Sequence, residues 1–427
     1  MISSIDDHLS ALYRLRRFGI QLGLTTISRL MKGLGNPQDH YSCIHIAGTN
    51  GKGSVAAFVS SILFRAGYKV GLYTSPHLIR FNERIQINGN PISDKDVQGA
   101  AEAVQRIYTQ GEPPTFFECA TAMALHHFAA EKVDWAVVET GMGGRYDATN
   151  VVRPQACVIS NISMEHTEYL GHTLKKIAAE KAGIIKETAG VVTGARQKAA
   201  LEVMEQAARQ KGVPLLRMGK EIKVRKSANG LFTCKGMTHT WPELKVGLLG
   251  DHQMTNAALA LSALELLMEK GLEVPDDAIY RGLAETRWPG RLEVVSRDPF
   301  VLLDGAHNPS AIRTLKTFLK NRVAYPRLIL VLGILKDKAW KPMVRELAVI
   351  SHPMILTRPQ YERAADPEEL AAFARSLKQD VIVSPCLPEA ISLALNEAGH
   401  GDMVCITGSL YTVGEAKAYF EDAHVAR

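Results

Sequence analysis

The sequence predicts an α/β protein: a parallel-sheet domain carrying a small antiparallel insertion, followed by a second α/β domain. Three observations lead there. Short apolar runs alternate with helical patterns from residue 43 onward, as strands and crossover helices do in a parallel sheet. Near residues 220–248 the pattern changes to alternating residues around Asn229-Gly230, a hairpin signal. After WPGRLEVV the strand–helix alternation restarts.

In chain order, CIHIAG (43–48), VGLYTS (70–75), WAVVET (135–140), CVISNI (157–162) and GVVTG (190–194) read as strands. They are apolar throughout, as strands covered on both faces are. SVAAFVSSILFRAG, FFECATAMALHHFAAEK and KKIAAEKAGIIK read as the helices between them. EIKVRKSANGLFTCKG reads as the inserted hairpin, and TNAALALSALELLMEKG as a helix over 254–270 stopped by Gly271. In the second domain FVLLDG (300–305), LILVLGIL (328–335), MILT (354–357), VIVS (381–384) and MVCITGS (403–409) are strand-like. Helices are expected at 309–321, 338–349, 367–377, 388–397 and 411–423. The boundary falls between Pro289 and Asp298, dividing 1–293 from 294–427.

A chain of 427 residues exceeds one ordinary core, so two or three domains are expected. Hydrophobic content of 46% and charged content of 22% suit a soluble globular protein. Lys plus Arg number 50 against 44 Asp plus Glu, a formal net charge of +6, and no run of five like charges points to a nucleic-acid partner. The six cysteines form no CxxC pair, and several sit inside apolar runs, which reads as a reducing compartment without disulfides. MISSIDDHLSALYRL lacks an apolar signal core, and no window has the length of a membrane helix. A cytoplasmic protein with no membrane association is expected.

The segment Gly48-Thr49-Asn50-Gly51-Lys52-Gly53-Ser54 joins a strand to a helix. Such a turn aims backbone N–H groups and the positive helix end at one point, and Lys52 can reach terminal phosphates. The usual GxxxxGK[ST] spacing would need glycine at Ile46 and a hydroxyl at Gly53; here the hydroxyl comes one later, at Ser54. A plain glycine-rich turn is the alternative, and the strand–turn–Lys–Ser–helix context favours phosphate binding. Thr74-Ser75-Pro76-His77 ends the next strand, where ligands sit in open α/β sheets, and equally fits a Pro-stopped turn. Glu139 ends an apolar strand and is placed to hold Mg²⁺ on phosphates, or is an exposed strand-end acid. His166 lies just past a strand and reads first as a surface or core histidine; Lys181 passes as an ordinary helical lysine. Asp304 and His307, in DGAHNP, could meet a nucleotide, or the segment is a helix cap with Asn308 before Pro309.

GTNGKGS, TSPHL with FNERI, ETGMGGRYDATN, EHTEYLG with EKAGIIK, DHQMTNAALA, WPGRLE and DGAHNP occur in this order. Together they resemble folylpolyglutamate synthase and bifunctional dihydrofolate synthase, relatives of the Mur peptide ligases. The blocks span about residues 19–310, and TGSLYTVGE near the end also fits. That family uses the same shifted loop, with an extra glycine before the hydroxyl. The resemblance implies a P-loop NTPase-like first domain and a Rossmann-like second one. It also implies a reaction: ATP phosphorylates a carboxylate, and the amine of L-glutamate displaces phosphate from the acyl phosphate.

Carried over motif by motif, the resemblance implies that Gly48, Thr49, Asn50, Gly51, Lys52, Gly53 and Ser54 hold ATP phosphates. Asn256 matches an adenine contact, Arg291 and Asp304 match further ATP contacts, and His307 lies beside them. Ser54, Ser75, Glu139 and His166 are the implied ligands of Mg²⁺, shared between two ions. Lys181 matches a lysine that relatives carry as a carbamate; with Lys52 and His166 it completes the implied catalytic set. Thr115, Phe116, Phe117 and Glu118, with Tyr146, Asp147 and Ala148, match the pterin-binding segments. Stacking on the rings and pairing with an acid would suit a pterin, while core packing at a helix start is the plainer reading of Phe116 and Phe117. FGIQLGL (18–24) fits the family's N-terminal segment. The implied substrates are ATP, L-glutamate and folate or dihydropteroate, the implied state is a monomer, and cleft closure on binding is expected. The alternatives are a folylpolyglutamate synthase without the second activity, a Mur-type peptide ligase, and a nucleotide-binding switch with no second substrate.

Overall fold

The computed structural model describes residues 5–15, 19, 23–108, 113–322 and 325–425. Of the FGIQLGL segment, residues 18 and 20–22 lie outside the described residues. The chain divides into two compact units. One comprises the chain up to Pro76, Phe81–Gly247 and Gln253–Arg287; the other comprises His77–Arg80, Leu248–His252 and the chain from Trp288 onward.

The first unit is built on an eight-stranded sheet. Its strands are β1 (Ser42–Ala47), β2 (Val70–Tyr73), β3 (Ile85–Ile87), β4 (Asn90–Pro91), β5 (Trp135–Glu139), β6 (Ala156–Ile159), β7 (Gly190–Thr193) and β8 (Leu215–Arg217). Their order is β4-β3-β2-β5-β1-β6-β7-β8. From β2 to β8 every pairing is parallel; β3 and β4 add an antiparallel edge. β2, β5, β6 and β7 are buried along their whole length, because helices cover both faces and leave no solvated side for a polar residue. All five strands expected from the apolar runs are present. The edge strands β3, β4 and β8 carry no comparable run and were not legible. The same holds for the helices Asp94–Tyr108, Lys198–Lys211 and Asp276–Glu285.

The insertion has three strands, β9 (Lys223–Lys226), β10 (Phe232–Lys235) and β11 (Thr240–Leu244), in the order β11-β10-β9. Asn229-Gly230 turns the first hairpin as expected: Gly230 takes φ +84°, and the Asn229 Oδ1 accepts from the Leu231 N–H at 3.2 Å. The third strand extends the expected hairpin into a sheet.

The second unit holds a six-stranded sheet of β12 (Glu293–Arg297), β13 (Phe300–Asp304), β14 (Leu328–Leu332), β15 (Met354–Leu356), β16 (Val381–Val383) and β17 (Met403–Thr407). The order is β12-β13-β17-β14-β15-β16, and only the β12–β13 pair is antiparallel. Five strands and five helices match the expected positions; β12 is an addition. One apolar cluster under Ile312, Leu315, Met343 and Leu370 covers one face, and another under Leu387, Ile391, Val413 and Ala416 covers the other.

Candidate active site

β2, β5, β1 and β6 are neighbours in the first sheet, so four chain segments leave its carboxyl edge side by side. The loop after β1 is Gly48 to Gly51, and the helix Lys52–Arg65 begins immediately. Gly51 adopts φ +84°, and a Cβ there would lie 2.6 Å from the Asn256 Oδ1. At Gly48, φ is +147° and a Cβ would lie 1.9 Å from the Ser160 Oγ. Neither place tolerates a side chain, so both glycines are required by backbone sign and by close approach.

The end of β6 clamps this loop. The Thr49 N–H donates to the Asn161 carbonyl at 3.0 Å, and the Asn50 N–H to the Asn161 Oδ1 at 2.9 Å. The Ser160 hydroxyl donates to the Asn50 carbonyl at 2.7 Å. With those two amides engaged, the first-turn N–H groups of Lys52–Arg65 are the donors that face outward at the helix start, where an anion is favoured. Lys52 curls over the loop, its Nζ 3.2 Å from the Gly48 carbonyl and 3.3 Å from that of Thr49. Ser160 and Asn161 were missed in the sequence. Their only signal was a polar pair closing an apolar strand.

Lys181 sits near the end of the helix Leu174–Ala182 and is 4% exposed. Its Nζ donates to the Gly48 carbonyl at 2.7 Å. Burial, followed by the nearby charge of Lys52, lowers its pKa to about 7; Glu165 and Asp147 act in the opposite sense. The lysine that read as an ordinary helical residue is therefore a buried amine against the phosphate loop.

Glu139 ends β5 level with Ile46 of β1, is 5% exposed, and its Oε2 accepts from the Ser75 N–H at 3.1 Å. Ser54 is buried in the first turn after the loop. His166 follows β6 with a left-handed backbone, φ 50°, and its Nε2 lies 3.9 Å from the Glu165 Oε1. The four side chains expected to hold Mg²⁺ thus leave adjacent strand ends. Among the described residues no group of three or more His, Cys, Asp and Glu side chains forms a closed metal cage. One carboxylate and two hydroxyls, completed by substrate phosphates, suit Mg²⁺, and the His166 imidazole is the unusual member of the set.

The two expected substrate segments are built differently. Thr115 and Glu118 form a capping box at the start of the helix Phe116–Ala130. The Glu118 Oε2 accepts from the Thr115 N–H and hydroxyl, each at 2.8 Å, while the Glu118 N–H donates to the Thr115 Oγ1 at 3.2 Å. Glu118 is thereby turned toward its own helix start. Phe116 stacks on Tyr13 at 5.6 Å, with the Arg84 guanidinium 5.2 Å from its ring centre. Phe117 lies over Gly141, where a Cβ would meet its ring at 2.5 Å. Both rings are half-buried and pack against the core beneath, so the core-packing reading holds for their inner faces.

Asp147 is buried, and its carboxylate is occupied from two sides. Oδ2 accepts from the Met142 N–H at 2.8 Å; Oδ1 accepts from the Thr149 N–H at 3.1 Å and hydroxyl at 2.5 Å. Burial raises its pKa against these donors. Ala148 is buried beside it, whereas Tyr146 is 46% exposed.

In the second unit, Asp304 ends β13. Its Oδ2 accepts from the Leu292 N–H at 3.0 Å and its Oδ1 from the Ala306 N–H at 3.1 Å. Burial raises its pKa, while the charge of Arg291 acts to lower it. Arg291 and His307 flank Gly305: a Cβ there would lie 2.9 Å from the Arg291 Nη1, and the His307 Nδ1 is 2.8 Å from the Gly305 carbonyl oxygen. Asn308 caps the helix Pro309–Arg322, its Oδ1 accepting from the Ala311 N–H at 2.9 Å, as the capping alternative required.

A glycine-rich phosphate loop flanked by an acid on the neighbouring strand defines a nucleotide-dependent enzyme class, and the comparisons with known proteins identify which. Residues 46–264 match the Mur ligase middle domain and residues 290–410 the Mur ligase glutamate ligase domain. The chain is 36% identical over 430 residues to the dihydrofolate synthase/folylpolyglutamate synthase of Bacillus subtilis, covering 98% of this chain and 99% of that one. It is 37% identical to the folylpolyglutamate synthase of Lacticaseibacillus casei, covering 90% of this chain and 91% of the relative. Escherichia coli FolC in complex with DHPP and ADP superposes with a TM-score of 0.92 at 30% identity, covering 99% of each chain. The chain belongs to the dihydrofolate synthase/folylpolyglutamate synthase family of Mur ligases.

Proposed function

We propose that this chain joins L-glutamate to folates, and also to dihydropteroate, by ATP-dependent amide formation through an acyl phosphate. The observation that carries the reading is the Gly48–Ser54 loop at the sheet's carboxyl edge, with buried Lys181 donating to its Gly48 carbonyl. Relatives of this length carry both synthase names, and a structural neighbour is in complex with DHPP and ADP.

In the proposed reaction the first-turn amides and Lys52 hold the ATP phosphates in line with the substrate carboxylate. Ser54, Ser75, Glu139 and His166 would hold Mg²⁺, which supplies charge neutralisation on the phosphates. A carboxylate oxygen attacks the terminal phosphorus, and ADP leaves. The free amine of glutamate then attacks the acyl carbon and gives up a proton, and inorganic phosphate departs with the former carboxylate oxygen. Asn256, packed on Gly51, contacts adenine. Arg291, Asp304 and His307 are further ATP contacts in this reading. Tyr146, Asp147 and Ala148, with Thr115 to Glu118, hold the pterin.

Lys181 works as a carbamate in this reading. A pKa near 7 supports it, because CO2 adds to the neutral amine, which is then abundant at neutral pH. The working division is an ATP-binding domain over 1–293 and a glutamate ligase domain over 294–427. The protein acts as a cytoplasmic monomer. No helix among the described residues is long and apolar enough to cross a membrane.

The test is phosphate release with ATP, Mg²⁺ and L-glutamate, with dihydropteroate in one series and tetrahydrofolate in another, products checked by mass. Turnover of both is expected. Turnover of tetrahydrofolate alone restricts the chain to polyglutamylation, and turnover of neither points to a Mur-type peptide substrate.

A further inference from the structure

We propose that His45 and Thr149 form a positioning relay that fixes Asp147, and with it the Tyr146–Ala148 segment, for the pteridine end of the substrate. The inference rests on the folate reading above.

His45 lies in the middle of β1 between Ile44 and Ile46 and is fully buried. A branched apolar residue would fill such a place with no polar group to satisfy. Instead the imidazole Nε2 lies 2.8 Å from the Thr149 Oγ1, across 104 residues of sequence. The Thr149 hydroxyl donates to the Asp147 Oδ1 at 2.5 Å. An ionised carboxylate only accepts, so the Thr149 proton is directed to Asp147 and its oxygen receives the Nε2–H of His45. The order of donors fixes one tautomer. It also leaves the His45 Nδ1 buried with no hydrogen-bond partner. Burial holds the ring neutral, so the direction of donation does not change over the working pH range.

The other side of the loop is pinned as well. The Asn150 Nδ2 donates to the carbonyls of Arg145 at 2.9 Å and Gly183 at 3.2 Å. The Arg145 N–H donates to the Glu180 carbonyl at 2.8 Å, on the helix that carries Lys181. Between these anchors the chain passes from Tyr146, 46% exposed, to Asp147, 7% exposed. Fixing the Asp147 carboxylate therefore sets where the exposed ring is presented. The relay enters from β1, and its hydrogen bonds run to Thr149 and Asp147.

The experiment compares the full-length protein with Thr149→Val, Thr149→Ser, Asp147→Asn, His45→Gln and His45→Leu. It reads dihydropteroate and ADP affinity by calorimetry, the KM and kcat of ligation, and thermal melting. Thr149→Val should weaken dihydropteroate binding about tenfold and raise its KM alike, the size of a lost hydrogen bond to a charged group, with ADP affinity and saturated kcat unchanged within about twofold. Thr149→Ser keeps the hydroxyl and should restore binding. If Thr149→Val does not fold, the His45 pair reads the same relay: Gln retains an N–H donor and should bind well, and Leu should not. Asp147→Asn that weakens dihydropteroate while folded Thr149→Val binds normally overturns the relay and leaves the folate reading standing. Asp147→Asn with unchanged dihydropteroate affinity overturns the reading of that segment and the relay with it. Equal loss of ADP and dihydropteroate affinity in Thr149→Val would mean a general structural defect and also overturn the relay.

Discussion

Lys52 and Lys181 share one acceptor: their nitrogens reach the Gly48 carbonyl at 3.2 and 2.7 Å. Their mutual repulsion, added to burial, is why Lys181 loses its proton near neutrality. A polyphosphate at the loop favours the charge on Lys52, whereas Lys181, once a carbamate in the proposed reading, no longer repels it. Lys52→Ala should therefore cut kcat/KM by at least about 100-fold, the usual scale for removing a charge that stabilises a transferring group. Its melting temperature should stay within a few degrees, since Lys52 is only half-buried. Near-normal turnover would refute the phosphate-loop role. Lys181→Ala should lose most activity, and partial recovery with added short carboxylic acids would speak for the carbamate. At His45, burial holds the imidazole pKa to about 3 against an ordinary 6.5. Between those values the unfolded chain binds a proton that the folded chain does not, so stability falls as pH falls through this window. His252 in the second unit, held to about 4, adds a contribution of the same sign. Denaturant midpoints at about pH 7 and about pH 4.5 should show His45→Leu losing less stability on acidification than the parent. Equal slopes would reject the buried neutral histidine.

At the scale of elements, one buried acid gathers several of the bonds that tie the insertion to the rest of the first unit, beside the Tyr280 hydroxyl's bond to the Pro242 carbonyl at 2.8 Å. Glu265, on the helix His252–Met268, accepts from the N–H groups of Met237, Thr238 and His239 at 2.8, 2.8 and 2.7 Å. A Cβ at Gly236 would collide with its Oε2 at 2.1 Å. Glu265→Ala would remove the acceptor these three partly exposed amides share and should cost about 1–3 kcal/mol in denaturant unfolding. Activity at low temperature should survive, because the change lies outside the phosphate loop. The same scale explains what was legible. The parallel strands β5 and β6 declared themselves because burial on both faces favours an unbroken apolar run, and β1 shows the same run interrupted by His45. β3, β4 and β12 are short, or only partly buried, and carry no such constraint.

For the whole molecule, ligand binding gives a further test. ADP at about 100 times its Kd should stabilise the protein by about 2.7 kcal/mol if it binds only the folded form. Lys52→Ala should lose most of that gain, read as the ADP-dependent shift in melting temperature. A full shift in the variant would place the nucleotide elsewhere.

The sequence by itself determined the buried parallel strands of both sheets, the glycine-rich loop and the family. Each is written in local signals: apolar period, glycines where φ is positive, and a Lys–Ser pair at a helix start. Tertiary structure alone decided where those residues sit and what they touch. By pattern alone Lys181 read as an ordinary helical lysine, and only the resemblance gave it a role; folding brought it to Gly48, 133 residues away. Glu118 looked like a pterin contact, and its carboxylate also caps its own helix. Asn161 and His45 gave little or no signal, because their partners Asn50 and Thr149 lie 111 and 104 residues distant. Hydrogen bonds and charge act through space at a few ångströms, and no spacing along the chain encodes which strand ends will meet.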